Sequence, residues 1–150
     1  THFFDQVLGA GRVTVVGEVG YTHVGGLEST SELRYGRDPI YGTPDDPAAL
    51  ARYGRHGFVT ANSWGYRLRG IADYDNVFAG INLKPNISWS HDVDGYGPVF
   101  NEGSKAISVG LDAEYRNTYT ASLSYTDFFG GDYNPIVDRD FLAFSVGVNF

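Results

Sequence analysis

The chain contains no cysteine and no methionine. Without thiols it has no disulfides, no thiolate metal site and no cysteine nucleophile, and its redox compartment stays open. Without methionine, and with Thr1 in first place, it is not expected to begin at a translation start. No apolar run approaches the ~18 residues of a transmembrane helix, and no stretch reads as a signal-peptide core. Basic residues are also few. Against 18 acidic side chains stand 11 Lys and Arg, a net charge of −7 over 150 residues, which argues against a broad nucleic-acid footprint. A soluble acidic domain would fit these absences. Three things present do not suit it: 20 Gly, a ring content of 2 Trp, 11 Tyr and 10 Phe, and a chain that ends on Phe150.

Alternation is the dominant pattern. In Phe141–Phe150 the even positions Leu142, Phe144, Val146, Val148 and Phe150 are apolar, while Ala143, Ser145, Gly147 and Asn149 are small or polar. Only Phe141 breaks the rule. Side chains alternate across a strand, so such a segment has one apolar and one narrow polar face. The same period predicts strands near residues 11–24, 62–75, 77–90, 105–115 and 118–128, six with 141–150. Turns are expected around Asp75-Asn76 and Arg116-Asn117. Long Gly/Asp/Pro-rich loops cover residues 25–61, 91–104 and 129–140. Pro85 within a strand costs one ladder hydrogen bond.

Two all-β architectures share this pattern: a soluble antiparallel sandwich or barrel, and a transmembrane β-barrel. Short turns on one side and long loops on the other suit the membrane barrel, as do strands near the ~9–11 residues that cross a bilayer at a tilt. On the polar face, Arg12, Glu18, Arg67, Arg69, Asp73, Lys84, Asp112 and Glu114 are expected to face the lumen. Tyr21, Tyr66, Tyr74, Trp89, Tyr115, Tyr119 and Tyr125 fall near the two ends of the apolar face, where aromatic girdles mark membrane interfaces. The expected fold is therefore an antiparallel transmembrane β-barrel. The chain supplies six C-terminal strands of a larger up-and-down barrel, since six fall short of the eight of the smallest single-chain barrels.

A family resemblance joins this reading. Glu102–Tyr115, Leu123–Gly130 and Asp138–Phe141 with the terminal aromatic strand resemble one proteobacterial outer-membrane family, known as domain of unknown function thirteen-oh-two. Leu8–Arg12, Glu18–His23 and Ser90–Gly95 fit it too. The resemblance implies the C-terminal part of an outer-membrane β-barrel of a Gram-negative bacterium, from a family whose members are longer and carry a signal peptide and more strands. It implies no settled activity, and weakly a link with envelope export or hydrophobic-compound uptake. Phe144, Val146, Val148 and Phe150 also resemble the C-terminal signal read by the barrel assembly machinery.

Chemistry is sparse. His2, His23, His56 and His91 form no HExxH or close His/carboxylate spacing. Ser88, Ser90 and His91 invite thought of a wall-mounted hydrolase, but no partner carboxylate or oxyanion element accompanies them, and no enzyme is expected. Asp92, Asp94, Asp132, Asp138 and Asp140 offer hard oxygens for calcium, without the spacing of a dedicated loop. Acidic loops are otherwise solvated, or bridged to lipopolysaccharide by divalent cations. Asp46–Tyr53 reads as a short loop helix, with Pro47 in the first turn and Gly54 after its end. No cofactor is expected. The expected role is porin-like transport of small or lipophilic molecules, with outer-membrane lipid, lipopolysaccharide and an envelope transport partner as neighbours. The alternative is a structural or interaction barrel that anchors an envelope complex without a conducting pore.

Overall fold

Apolar side chains that alternate along a strand need neighbours in the same register, or the pattern scrambles. The computed structural model, which describes residues 1–149, meets that requirement across one sheet. Its strands are β1 (His2–Asp5), β2 (Arg12–His23), β3 (Asn62–Phe78), β4 (Ile81–Asp94), β5 (Lys105–Tyr115), β6 (Tyr119–Phe129) and β7 (Phe141–Val148). They pair antiparallel in sequence order, an up-and-down meander of seven strands. Among the described residues β1 and β7 are its two edges, and the sheet stays open between them. Strand β2 pairs with β1 and β3, not with β7. Phe150, the last residue of the proposed assembly signal, lies outside the described residues.

Several expected boundaries move. Strand β1 adds a seventh to the six expected: His-Phe-Phe-Asp is too short to alternate legibly, yet His2 to Asp5 pair with Val15 to Arg12. The β3–β4 connection is not at Asp75-Asn76. Strand β3 runs on to Phe78, and Ala79 and Gly80 turn instead, both at positive φ (52° and 81°) as a tight hairpin requires. Asn76, at φ 49°, sits in an irregularity of the ladder, where its N–H donates to Asn82 Oδ1 at 2.9 Å and its own Oδ1 accepts from Gly80 N–H at 3.1 Å. The carboxamides thus replace ladder bonds that a turn would have ended. Strand β4 is correspondingly displaced to 81–94, which takes His91–Asp94 out of the expected loop. Arg116 and Asn117 do turn, at φ 54° and 55°, closed by Thr118 N–H on the Tyr115 carbonyl at 3.1 Å. Between Ile71↔Asn86 and Tyr74↔Leu83 the β3–β4 ladder skips the pairs at Pro85 and Lys84, as a proline without N–H dictates.

The core is not in the sheet. The buried apolar side chains among the described residues are Ala10, Ala49, Phe58 and Phe100, and none belongs to a strand. On the apolar face, by contrast, Val19, Leu142, Phe144 and Val146 are 74, 68, 70 and 67% exposed. Burial is concentrated in the long loops, which hold a 3-10 helix (Pro39–Tyr41) and the helix α1 (Pro47–Tyr53). Helix α1 starts where its sequence directs. Asp46 Oδ1 caps Ala48 and Ala49 N–H at 2.9 and 3.2 Å, and Gly54 at φ 75° ends it with an N–H to the Leu50 carbonyl.

Candidate functional site

Register fixes which side chains share a face. One face carries Val13, Val15, Val19 and Tyr21 of β2, then Tyr66 and Leu68 of β3 and Ile87 and Trp89 of β4. It continues through Val109 and Leu111, Leu123 and Tyr125, to Leu142 and Phe144. All seven girdle candidates lie on it. Tyr21, Tyr66, Trp89 and Tyr125 are toward the long loops, with Tyr74, Tyr115 and Tyr119 toward the turns. Several polar ends are held: Tyr21 hydroxyl donates to Asn62 Oδ1 at 2.6 Å, Trp89 Nε1–H to Tyr66 Oη at 3.2 Å, and Tyr74 hydroxyl to the Leu8 carbonyl at 3.1 Å. Val146 and Val148 pair with Ala121 and Tyr119 on the same face.

The opposite face collects every charged candidate, in rows across the sheet. Glu18, Arg67 and Ser90 stand in one row, and Val16, Arg69, Ser88, Ser108 and Thr126 in the next toward the turns. Nearer the turns, Arg12 stands opposite Asp73, and Lys84 opposite Asp112, with Glu114 beyond them. Four of these eight charges are neutralised in three local ion pairs. Arg67 Nη1 pairs with Asp92 Oδ1 at 2.9 Å, Lys84 Nζ with Asp73 Oδ1 at 3.9 Å, and Arg12 Nε with Asp5 Oδ1 at 3.1 Å. Lys84 is thereby seated between two acids, Asp73 and Asp112. Asp112 accepts from Asn86 Nδ2 at 3.2 Å and from the Ser122 hydroxyl. Glu18, Arg69 and Glu114 form no ion pair among the described residues.

At the long-loop end the polar face is covered. The β4–β5 loop, residues 95–104, folds over it and seats Phe100, 6% exposed, on two glycines of neighbouring strands. A Cβ on Gly20 would lie 2.7 Å from Phe100 Cζ, and one on Gly65 would lie 3.0 Å from Cδ1 and Cε1, so only glycine admits the ring. Arg67 lies over the same ring at 6.0 Å. Its partner Asp92 also accepts the Asn101 N–H at 3.0 Å, which ties the loop to the wall. Phe141, the exception to the alternation, stacks on Phe128 on this same polar face at 6.3 Å.

Above this, the three long loops pack on one another around Arg37. Its guanidinium is buried and donates to the carbonyls of Tyr41, Gly42, Gly54 and His56, with Phe58 4.3 Å and Tyr133 5.6 Å from it. Tyr133 belongs to the β6–β7 loop, and its carbonyl accepts from Asn101 Nδ2 at 2.8 Å. A recess of ≈ 530 Å³ opens between the loops beside Arg37, Tyr96, Asn101 and Tyr133. Burial, with Glu102, Asp132 and Tyr133 nearby, pushes the Tyr96 phenol up to about 12. The sequence signals for this cap are faint. Phe100, Arg37 and Phe58 lie in stretches without periodicity, and nothing local marks Gly20 and Gly65 as a seat for a ring.

The remaining candidates do not converge. Asp92 is engaged by Arg67, and Asp140 accepts from the Tyr125 hydroxyl at 2.8 Å. No group of three or more His, Asp or Glu suited to a metal forms among the described residues. His91 stands on the apolar face beside Tyr66 at 5.5 Å, the opposite face from Ser88 and Ser90, so these three do not meet. His23 Nδ1 lies 2.8 Å from Asn62 Oδ1, and His2 packs on Phe4 at the sheet edge. No helix among the described residues is long and apolar enough to cross a membrane.

Comparison with known proteins gives one match. A family model described as "Protein of unknown function (DUF1302)" matches residues 2–150. No curated protein and no solved structure matches the chain.

Proposed function

The chain belongs to the DUF1302 family of proteins of unknown function, and we propose that its sheet is wall of an outer-membrane β-barrel that passes small or lipophilic molecules. The observation that carries this is the two-faced sheet. One face is apolar through six adjoining strands and uncovered, the other holds the charges, and the core lies elsewhere. Moving an exposed Val, Leu or Phe from water into an apolar medium is worth about 1.5–3 kcal/mol. Lipid is a medium that takes the whole face at once. The same move requires the open edges to be paired, because an unsatisfied backbone group in hydrocarbon costs several kcal/mol. In this reading β1 and β7 continue onto further strands. Strands β2 to β6, of 11 to 17 residues, are long enough to cross.

A second reading has its own support. Three ion pairs on the polar face and a packed cap at the loop end suit a structural barrel that anchors an envelope complex without conducting. Conductance separates the two. The full-length protein, purified from outer membranes and inserted in planar bilayers, is expected to give discrete current steps. Insertion without any conductance would favour the anchor. Recovery from the soluble fraction would overturn both. Outer-membrane lipid, lipopolysaccharide and the barrel assembly machinery are the partners this placement entails.

A further inference from the structure

Resting on the transport reading and deepening it, we infer that the β4–β5 loop is a fixed constriction, and that Phe100, by anchoring it to the wall, holds the loop where it sets the largest hydrophilic solute able to pass. A loop that merely drapes over a mouth makes few contacts with the wall. This one is fastened at three levels. Phe100 occupies a seat that Gly20 and Gly65 leave by having no Cβ, with 2.7 and 3.0 Å as the distances a Cβ there would have to the ring. Asp92 bonds Arg67 of β3 with one oxygen and the Asn101 N–H with the other, at 2.9 and 3.0 Å. The loop is braced within itself as well. Gly97 N–H donates to the Phe100 carbonyl at 2.9 Å, and Glu102 accepts from Gly95 N–H at 3.1 Å.

The seat lies on the charged face, not the apolar one, so in a closed barrel the loop that the buried Phe100 ring pins to the wall stands in the lumen. One row toward the turns lies a recess of ≈ 300 Å³ with Arg67, Arg69, Ser88 and Ser90 in its wall. Ser88, Ser90 and Ser108 hydroxyls beside Val16 and Ala106 give the recess under the loop a mixed wall that suits hydroxyl-bearing solutes. Asp92 and Arg67 neutralise each other there, and Glu18 and Arg69, of opposite sign, share the same wall, so no one sign of charge is favoured and size selects.

This chain brings no native cysteine of its own to compete with an engineered lock. A Cβ on Gly97 would lie 3.8 Å from Ser63 Cβ, the separation of a disulfide. Liposomes carrying the full-length protein are challenged with arabinose, sucrose and raffinose, and swelling rates are read. Wild type is expected to admit the smaller sugars and exclude raffinose, while Phe100→Ala admits raffinose with a several-fold higher rate. Phe100→Leu, which keeps the fold if alanine does not, gives an intermediate cut-off. Ser63→Cys with Gly97→Cys should swell equally when oxidised and reduced, because a fixed loop has no need to move. An unchanged cut-off in both Phe100 variants overturns the inference. So does a pore silenced by oxidation, which would make the loop a moving gate. Wild-type liposomes that swell with no sugar at all sink the transport reading itself, a result distinct from either.

Discussion

Two kinds of residue carry the specific contacts of this molecule: small ones that make room, and polar ones placed where water is scarce. Gly20 and Gly65 belong to the first kind, since a side chain at either would meet the Phe100 ring. Tyr96 belongs to the second. Burial, reinforced by Glu102 and Asp132, raises its phenol from the ordinary 10.0 to about 12. A phenol whose pKa rises on folding favours the folded state while protonated. Its contribution is therefore intact below pH 10 and lost as the pH climbs toward 12. Absorbance of ionised tyrosine should show a late step near that pH, and Tyr96→Phe should remove it and flatten cap stability over the same interval. An identical profile in the variant would show that another group is responsible.

Strands show what alternation can and cannot predict. A side-chain period of two fixes the face of every residue once pairing begins, which is why β2 to β7 and both faces are legible in the sequence. A lipid-facing arginine at a bilayer's middle costs about 2–4 kcal/mol, whereas a lumen position tolerates charge. Val146 and Ser145 are neighbours in sequence and face opposite ways. Val146→Arg is expected to block folding into lipid vesicles and Ser145→Arg to permit it, with heat-modifiable gel migration as the measure. Equal behaviour would contradict the assignment of faces. Boundaries are less legible. Asp75-Asn76 has turn composition, but Asn76 uses its carboxamide to bridge an irregular ladder, and the chain turns only at Ala79-Gly80. Composition names residues able to turn, not the one at which cross-strand pairing stops.

At the scale of the whole molecule, the cap is the part the sequence conceals. Arg37 meets Tyr133, and Phe100 meets Gly20, across separations that no local period reports. Loop length and the Asp46–Pro47 start of α1 are visible in the sequence, but which loop lies on which is not. The sheet offers its own global test. Both tryptophans, Trp64 and Trp89, stand on the apolar face. Their fluorescence in vesicles should be quenched by brominated lipid and resist aqueous iodide; the reverse would place that face in water.

A core seated in loops rather than under a sheet separates two sets of substitution rules. On the proposed membrane placement, Val19, Leu142, Phe144 and Val146 need only be apolar, since fluid hydrocarbon adapts to any shape and penalises only charge. Ala49, Phe58 and Phe100 answer to volume, because each fits against fixed neighbours. Relatives with that placement are expected to exchange wall residues among Val, Leu, Ile and Phe while the loop interior resists a change of one methylene. The variable and the constrained parts of the chain would then trade the places they hold in a water-soluble β protein.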